Sequence, residues 1–242
     1  MNNISAKYLL NHGFIQLDNL LGNSDLIDAR TLIDTALEAS GGIPKSKEDA
    51  GRWVKAKSKL QMNNKLLQLA SDSIGHKLTG ILGPYIKPTS CQIAYRFPGE
   101  NCDCNIDTIH IDNFTDKDLA RRHGPPSEFD TLVGICLSDT TETDHGNFTV
   151  FPGSHFRVQA WSRKYNGRTH YAKYGVHNMI ENFELEGGKL EPHQLLTKAS
   201  DVIIANRFLL HLISAPNVSN DVRKIIWFRI KLVNDNNIDH FT

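Results

Sequence analysis

Little in this chain is present in excess. Of its 242 residues only four are cysteine (Cys91, Cys102, Cys104 and Cys136), too few for a disulfide scaffold. Cys102 and Cys104 form a CxC pair without the second half of a zinc-knuckle pattern, so all four read as thiols of a reducing compartment. No run approaches the roughly 18 apolar residues of a membrane span. The opening MNNISAKYLL has no basic stretch followed by a long apolar run, so no signal peptide is expected. Neither sign of charge dominates: 27 Lys and Arg balance 27 Asp and Glu, which excludes a polycation built for nucleic acid or a membrane surface. Repeats, low-complexity tracts and linkers are absent. With 40% hydrophobic residues the chain is too apolar for disorder. What remains is a soluble, cytoplasmic globular protein, long enough to bury a sizeable core as one domain over 1–242.

The zero net charge is a sum of unlike parts. Residues 100–144 hold eleven acids against Lys117, Arg121 and Arg122, a balance of −8, whereas 145–180 hold five basic residues and no acid. The pattern of apolar residues also changes along the chain. Residues 1–88 read as helix-rich. A short helix capped by Ser5 runs to Asn11, and a strand follows over Phe14–Leu17. Apolar residues at helical spacing run from Asn23 or Ser24 to the Gly41-Gly42 stop, and again from Leu66 to Leu82. The polar, basic stretch 42–59 between them reads as a surface loop. From 89 to 233 short β-rich runs take over: Cys91–Phe97, Ile106–Ile111, Thr131–Leu137, Phe148–Phe151, Val202–Ala205, Leu209–Ile213 and Lys224–Val233. Gly, Pro, Asn and Asp clusters separate them, as in a sandwich or barrel. Residues 234–242 read as a polar tail.

His110 and Asp112 end one of these runs. Residues i and i+2 of a strand share a face, so the pair supplies two members of a 2-His-1-carboxylate set that binds non-haem Fe(II). Alone the pair carries little weight, since eleven histidines and 27 acids in 242 residues give about 1.2 such pairs by accident, and there is one. Downstream, His211 lies in an apolar run where a core histidine needs a partner or a metal. Arg223 opens the next strand, and a buried guanidinium there would call for a carboxylate, which its planar fork can take bidentately.

With these residues in view, the sequence resembles the phytanoyl-CoA dioxygenase family of Fe(II)/2-oxoglutarate oxygenases across nearly its whole length. His12-Gly13-Phe14 resembles the family's opening, His110 and Asp112 its HxD motif, and Gly146 to His155 (GNFTVFPGSH) its more specific PGSH signature. His211, Asn217, Ser219 and Arg223 resemble its closing H…N-x-S…R pattern. The resemblance implies a double-stranded β-helix, a jelly-roll barrel with N-terminal helices packed on it. It implies hydroxylation of a C–H bond with Fe(II), 2-oxoglutarate and O2, releasing succinate and CO2. His110, Asp112 and His211 would be the catalytic iron ligands, and Arg223, with Gln92 and Ser214, would hold 2-oxoglutarate. His155 in the PGSH turn reads as structural.

The expected partner is a small-molecule substrate, not nucleic acid or membrane. Arg96, Arg157, Trp161 and Arg163 are its candidate contacts. Residues 156–200 are expected to form a lid whose basic part either clamps an anion (carboxylate, phosphate or CoA ester) or is a solvated face. A protein-directed hydroxylase and a metal-binding barrel without activity remain alternatives. One departure stands out: His211 and Arg223 are twelve apart where the family usually has eleven. An extra strand residue reverses side-chain facing unless a bulge absorbs it, so a bulge is expected near Leu212-Ile213.

Overall fold

The computed structural model describes residues 3–100, 109–112, 129–165, 174–183, 188–212 and 215–233. Cys102, Cys104 and Ser214 lie outside them. Helix α1 (Asn3–His12) ends at Gly13, whose φ of +81° suits the sharp exit into β1 (Phe14–Leu17). Helix α2 (Asn23–Ala39) buries Leu26, Ala29, Ile33 and Leu37, the i, i+3, i+4 stripe seen in the sequence. The apolar pattern of 64–82 is broken into α4 (Asn64–Gln68), one π-helical turn (Leu69–Ser73) and α5 (Gly75–Leu82).

The stretch expected as a surface loop is instead helix α3 (Lys47–Leu60). Its buried stripe is narrow, consisting of Trp53 and Leu60 with Ala56 packed beside them, so the polar residues around it hid the helical period. Ser46 caps it by accepting from the Asp49 amide, a contact of the order of 1 kcal/mol that the sequence displays as S-x-x-D.

The strands form two antiparallel sheets. The major sheet has the order β1-β8-β5-β10-β2, with β3 also paired to β10. Its members are β2 (Tyr85–Ile86), β3 (Gln92–Arg96), β5 (Thr131–Cys136), β8 (Val202–Asn206) and β10 (Arg223–Leu232). The minor sheet runs β4-β9-β6-β7, from β4 (Ile109–His110), β6 (Thr149–Val150), β7 (His193–Gln194) and β9 (His211–Leu212). Leu132, Ile203 and Trp227 of the major sheet meet Phe148, Val150 and Leu209 of the minor side in one apolar cluster, so the sheets face each other. This is the jelly-roll architecture expected, with helices on both outer faces.

On the outer face of the major sheet, Ile93, Val133, Ile226, Phe228 and Ile230 pack against the helices α2 to α5. Lys224 reaches from β10 to Asp34 of α2 at 2.6 Å and pins that layer. On the outer face of the minor sheet lie α6 (Ser154–Tyr165) and a helix over 174–183, α7. Val158 and Trp161 of α6 and Val176, Met179, Ile180 and Phe183 of α7 cluster with Ile111, Phe151, Leu210 and Leu212. The expected lid over 156–200 is therefore not seen in its described parts: these helices bury apolar stripes behind the sheet. The i, i+3, i+4, i+7 spacing of Val176, Met179, Ile180 and Phe183 was the available signal. No helix of the described residues is long and apolar enough to cross a membrane.

The bulge expected near Leu212-Ile213 falls at the edge of the described residues, and Ile213 lies outside them. Val150 pairs with His211 and His145 bridges to Asn217, so five steps along one strand face six along the other. His211 and Asn217 are thus one residue further apart in sequence than their partners. Cys91 and Cys136 are buried free thiols, and burial pushes both up to about 12.

The barrel interior is tight where β5 passes β10. An added Cβ at Gly134 would overlap the Trp227 ring, at 2.7 Å even from its third-nearest carbon. Gly134→Ala is expected to lower stability by about 1–3 kcal/mol, as overpacking does, measured by chemical denaturation. Unchanged stability would show that Trp227 is not fixed there.

Candidate metal centre

β10 is the long strand of the barrel, and its period of two sorts its side chains. Ile226, Phe228 and Ile230 face the helices, leaving Arg223, Ile225, Trp227 and Arg229 toward the interior. Opposite, β4 and β9 pair so that His110 and His211 are direct cross-strand neighbours, with ring centroids 4.2 Å apart. Asp112 lies in the turn just past β4. Ile111 between them is fully buried in the outer cluster, so His110 and Asp112 turn inward together. One donor atom each from His110, Asp112 and His211 lie within 4.8 Å of one another. Among the described residues this is the group whose donors could hold a metal ion.

The surroundings prepare each donor. His211 is buried, and its Nδ1 lies 2.9 Å from the Leu209 carbonyl. That contact assigns the proton to Nδ1 and leaves Nε2 as the lone pair facing the cavity. Burial first, then the neighbouring His110, depress its pKa to about 4, which keeps the imidazole neutral and able to ligate. Asp112 Oδ2 accepts from Arg229 Nη2 at 3.0 Å, while Oδ1 lies 3.9 Å from His110 Nε2. Two imidazoles, that of His211 held neutral, with one oriented carboxylate are a donor set suited to Fe(II) and related divalent metals.

The same cavity, about 380 Å³, is lined by Gln92, His110, Asp112, Leu132, Phe148, His211, Arg223 and Trp227, among others. Arg223 is only 4% exposed. Among the described residues no carboxylate comes within ion-pair distance of it, and its hydrogen bond runs from Nε to the Gly146 carbonyl at 2.6 Å. Burial, then the like charge of Arg96, lowers its pKa to about 10, so it remains a cation at neutral pH. A buried guanidinium with no carboxylate in contact, only Glu100 acting from a distance, carries a desolvation cost that an anionic ligand would offset. The turn before it is built by Asn217, whose side chain donates to the Arg96 and Asp221 carbonyls and accepts from Ser219. The N-x-S element therefore sets where β10 begins.

The PGSH stretch proves to be positional. Ser154 Oγ accepts from the Leu210 amide at 2.9 Å, and the Phe151 amide donates to the Leu210 carbonyl. Together they fix the residue before His211. Gly146 has φ +77°, and a Cβ there would press on Arg96 and Arg223 at 3.0–3.2 Å, so glycine lets the bend before β6 pass over the arginines. His155 is buried with Nε2 2.8 Å from the Leu10 carbonyl, joining α1 to α6, as its structural reading implied.

The other expected contacts divide. Gln92 lines the cavity, and its Oε1 accepts from Arg229 at 3.1 Å. Arg96 pairs with Glu100 at 3.3 Å beside Arg223. Arg157 donates to the Phe183 and Gly188 carbonyls, Trp161 is buried behind the minor sheet, and Arg163 is exposed on α6. These three do not line the cavity, because the helix that carries them packs on the far side of the sheet. Arg229 was missed. Its signal was available: it lies six residues after Arg223 on one strand, hence on the same face.

Ser154→Ala leaves the buried Leu210 amide without its acceptor and loosens His211. A stability loss of about 1–3 kcal/mol is expected in denaturation, together with weaker Co(II) binding, by about tenfold, in a spectroscopic titration. Intact affinity would show that Ser154 does not position His211.

No family model matches the sequence, and no curated protein matches it. Solved structures do. A non-heme alpha-ketoglutarate-dependent carbocyclase, SnoK, from nogalamycin biosynthesis aligns over 96% of this chain and 84% of its own, with TM-score 0.60 and 16% identity. EctD from S. alaskensis, with 2-oxoglutarate and 5-hydroxyectoine, aligns over 96% and 77%, with TM-score 0.60 and 13% identity. HygX from Streptomyces hygroscopicus, with nickel and 2-oxoglutarate bound, aligns over 96% and 88%, with TM-score 0.54 and 13% identity. At such identities the likeness is one of fold, and the chain shares the fold of these three structures.

Proposed function

We propose that this protein is a non-haem Fe(II)/2-oxoglutarate-dependent dioxygenase that hydroxylates a C–H bond of a small molecule, within or close to the phytanoyl-CoA dioxygenase family. The observation that carries this reading is Arg223, a buried cation lining the same cavity as three metal-capable donors, with no carboxylate within ion-pair distance among the described residues. His110, Asp112 and His211 would hold the iron, and Arg223 would take the distal carboxylate of 2-oxoglutarate. Ser214, outside the described residues, remains a candidate beside it. When bound, the iron with 2-oxoglutarate and O2 supplies the oxidising power, with succinate and CO2 as co-products.

The protein's own contribution is positioning and exclusion. The Leu209 carbonyl fixes the His211 tautomer, and Arg229 holds one oxygen of Asp112 so that the other faces the histidines. Phe148 packs 5.3 Å from His211 and 4.6 Å from Trp227, ring to ring, giving the site an apolar wall. Such a wall keeps water from a reactive centre. The cavity's size, about 380 Å³, lies within the range of small-molecule pockets, which favours a small substrate over a protein one. Arg223 in the cavity lining favours an oxygenase over a metal-binding barrel without activity. A cytoplasmic setting, which would keep the thiols reduced, belongs to the same proposal.

Anaerobic addition of Fe(II) and 2-oxoglutarate is expected to give a metal-to-ligand charge-transfer band. Asp112→Ala should abolish it. Arg223→Gln should raise the 2-oxoglutarate concentration needed by at least about 30-fold, the effect of truncating one partner of a buried charge pair. A wild-type protein without the band would contradict the proposal.

A further inference from the structure

We propose that a second cavity next to the metal site is an anion subsite, in which Lys57 and its neighbours bind a carboxylate or phosphate group of the substrate remote from the carbon that reacts. The word substrate here rests on the oxygenase reading; the binding of an anion does not.

This cavity, about 520 Å³, lies between α3, the segment 86–92 and the end of β10. Lys57, Lys87, Arg229 and Lys231 line it, and no carboxylate does. Lys57, Gln92 and Trp227 line both this cavity and the one holding the metal-capable donors, so a molecule seated in one can extend into the other. Arg229 stands at the boundary, held by Asp112 and Gln92.

Lys57 is the telling residue. It lies four after Trp53 and three before Leu60, on the inward face of α3, and is half-buried. Among the described residues it makes no hydrogen bond and no ion pair. Burial lowers its pKa, with no carboxylate acting in the opposite sense. An ammonium turned inward without a counter-ion is unfavourable, and a bound anion removes that penalty. Lys87 pairs with Asp72 at 3.2 Å, and both side chains are more than half exposed, so it adds charge at the rim. Lysines are point charges suited to phosphate as well as carboxylate, whereas the guanidinium fork of Arg223 belongs to the metal cavity. The anion-binding role expected for Arg157 and Arg163 thus passes to residues from α3, the β2–β3 connection and β10.

The test is a titration of the full-length chain with inorganic phosphate and, separately, with malonate, at constant ionic strength, following tryptophan fluorescence. Saturable binding of at least one is expected, and the tighter of the two assigns the phosphate or carboxylate preference. Lys57→Gln should weaken it about tenfold or more, the effect of one lost charge-assisted contact. Lys231→Gln, at an exposed side chain, should weaken it too, and serves if Lys57→Gln fails to fold. Arg223→Gln, which removes the anion site of the metal cavity, should retain saturable binding that still depends on Lys57. No saturable binding of either probe, insensitivity to both lysine substitutions, or loss in Arg223→Gln would overturn the proposal. The charge-transfer band reports independently. Anion binding without the band keeps the subsite and removes the oxygenase, and the band without anion binding does the reverse.

Discussion

The geometry of the site depends on the alternation of β10. Each of its ten residues has a partner on at least one side, 225–230 on β5, 223–227 on β3 and 231–232 on β2, so the strand's facing is fixed along its length. A one-residue slip would put Ile226 and Phe228 into the cavity and Arg223 into the apolar layer under α2 and α3. Burying a large apolar side chain contributes about 1.5–3 kcal/mol, and an unpaired guanidinium in that layer would cost more, so the register is strongly specified. Arg223, Trp227 and Arg229 are therefore three consequences of one constraint: the buried cation, the wall and the support for Asp112.

The opposite wall obeys a second register, that of β4 against β9. It puts His110 beside His211 only if the residues before and after His211 are held. Ser154 takes the Leu210 amide before it, and the bridge from His145 to Asn217 ties the chain after it. The signature stretch from Gly146 to His155 thus works without touching the reacting groups. Its glycine makes room over the arginines, and its serine aligns the strand that carries His211.

Much of this was legible in the sequence because it rests on local periodicity. The runs containing β3, β5, β8 and β10 are alternating or continuously apolar, and each became a strand. The grouping of His110, Asp112 and His211 around one point was legible through spacing and resemblance. Helix α3 was hidden because a helix touching the core through two or three residues looks polar throughout. The helices behind the minor sheet were hidden for a different reason. Their basic residues drew attention to charge, while Val176, Met179, Ile180 and Phe183 carried the information on where the segment packs. The charge split had the same limit. It indicated that neutral overall does not mean unselective, but not which cations face the cavities, because Lys57, Arg229 and Lys231 are brought together only by the tertiary fold.

The account as a whole holds that one cavity joins a three-residue metal site to a buried arginine. Crystals of the protein grown anaerobically with Fe(II) and 2-oxoglutarate, measured at the iron edge, test this most directly. The account predicts an anomalous peak bounded by His110, Asp112 and His211, with the 2-oxoglutarate carboxylate on Arg223. A peak elsewhere, or 2-oxoglutarate held away from Arg223, would contradict it.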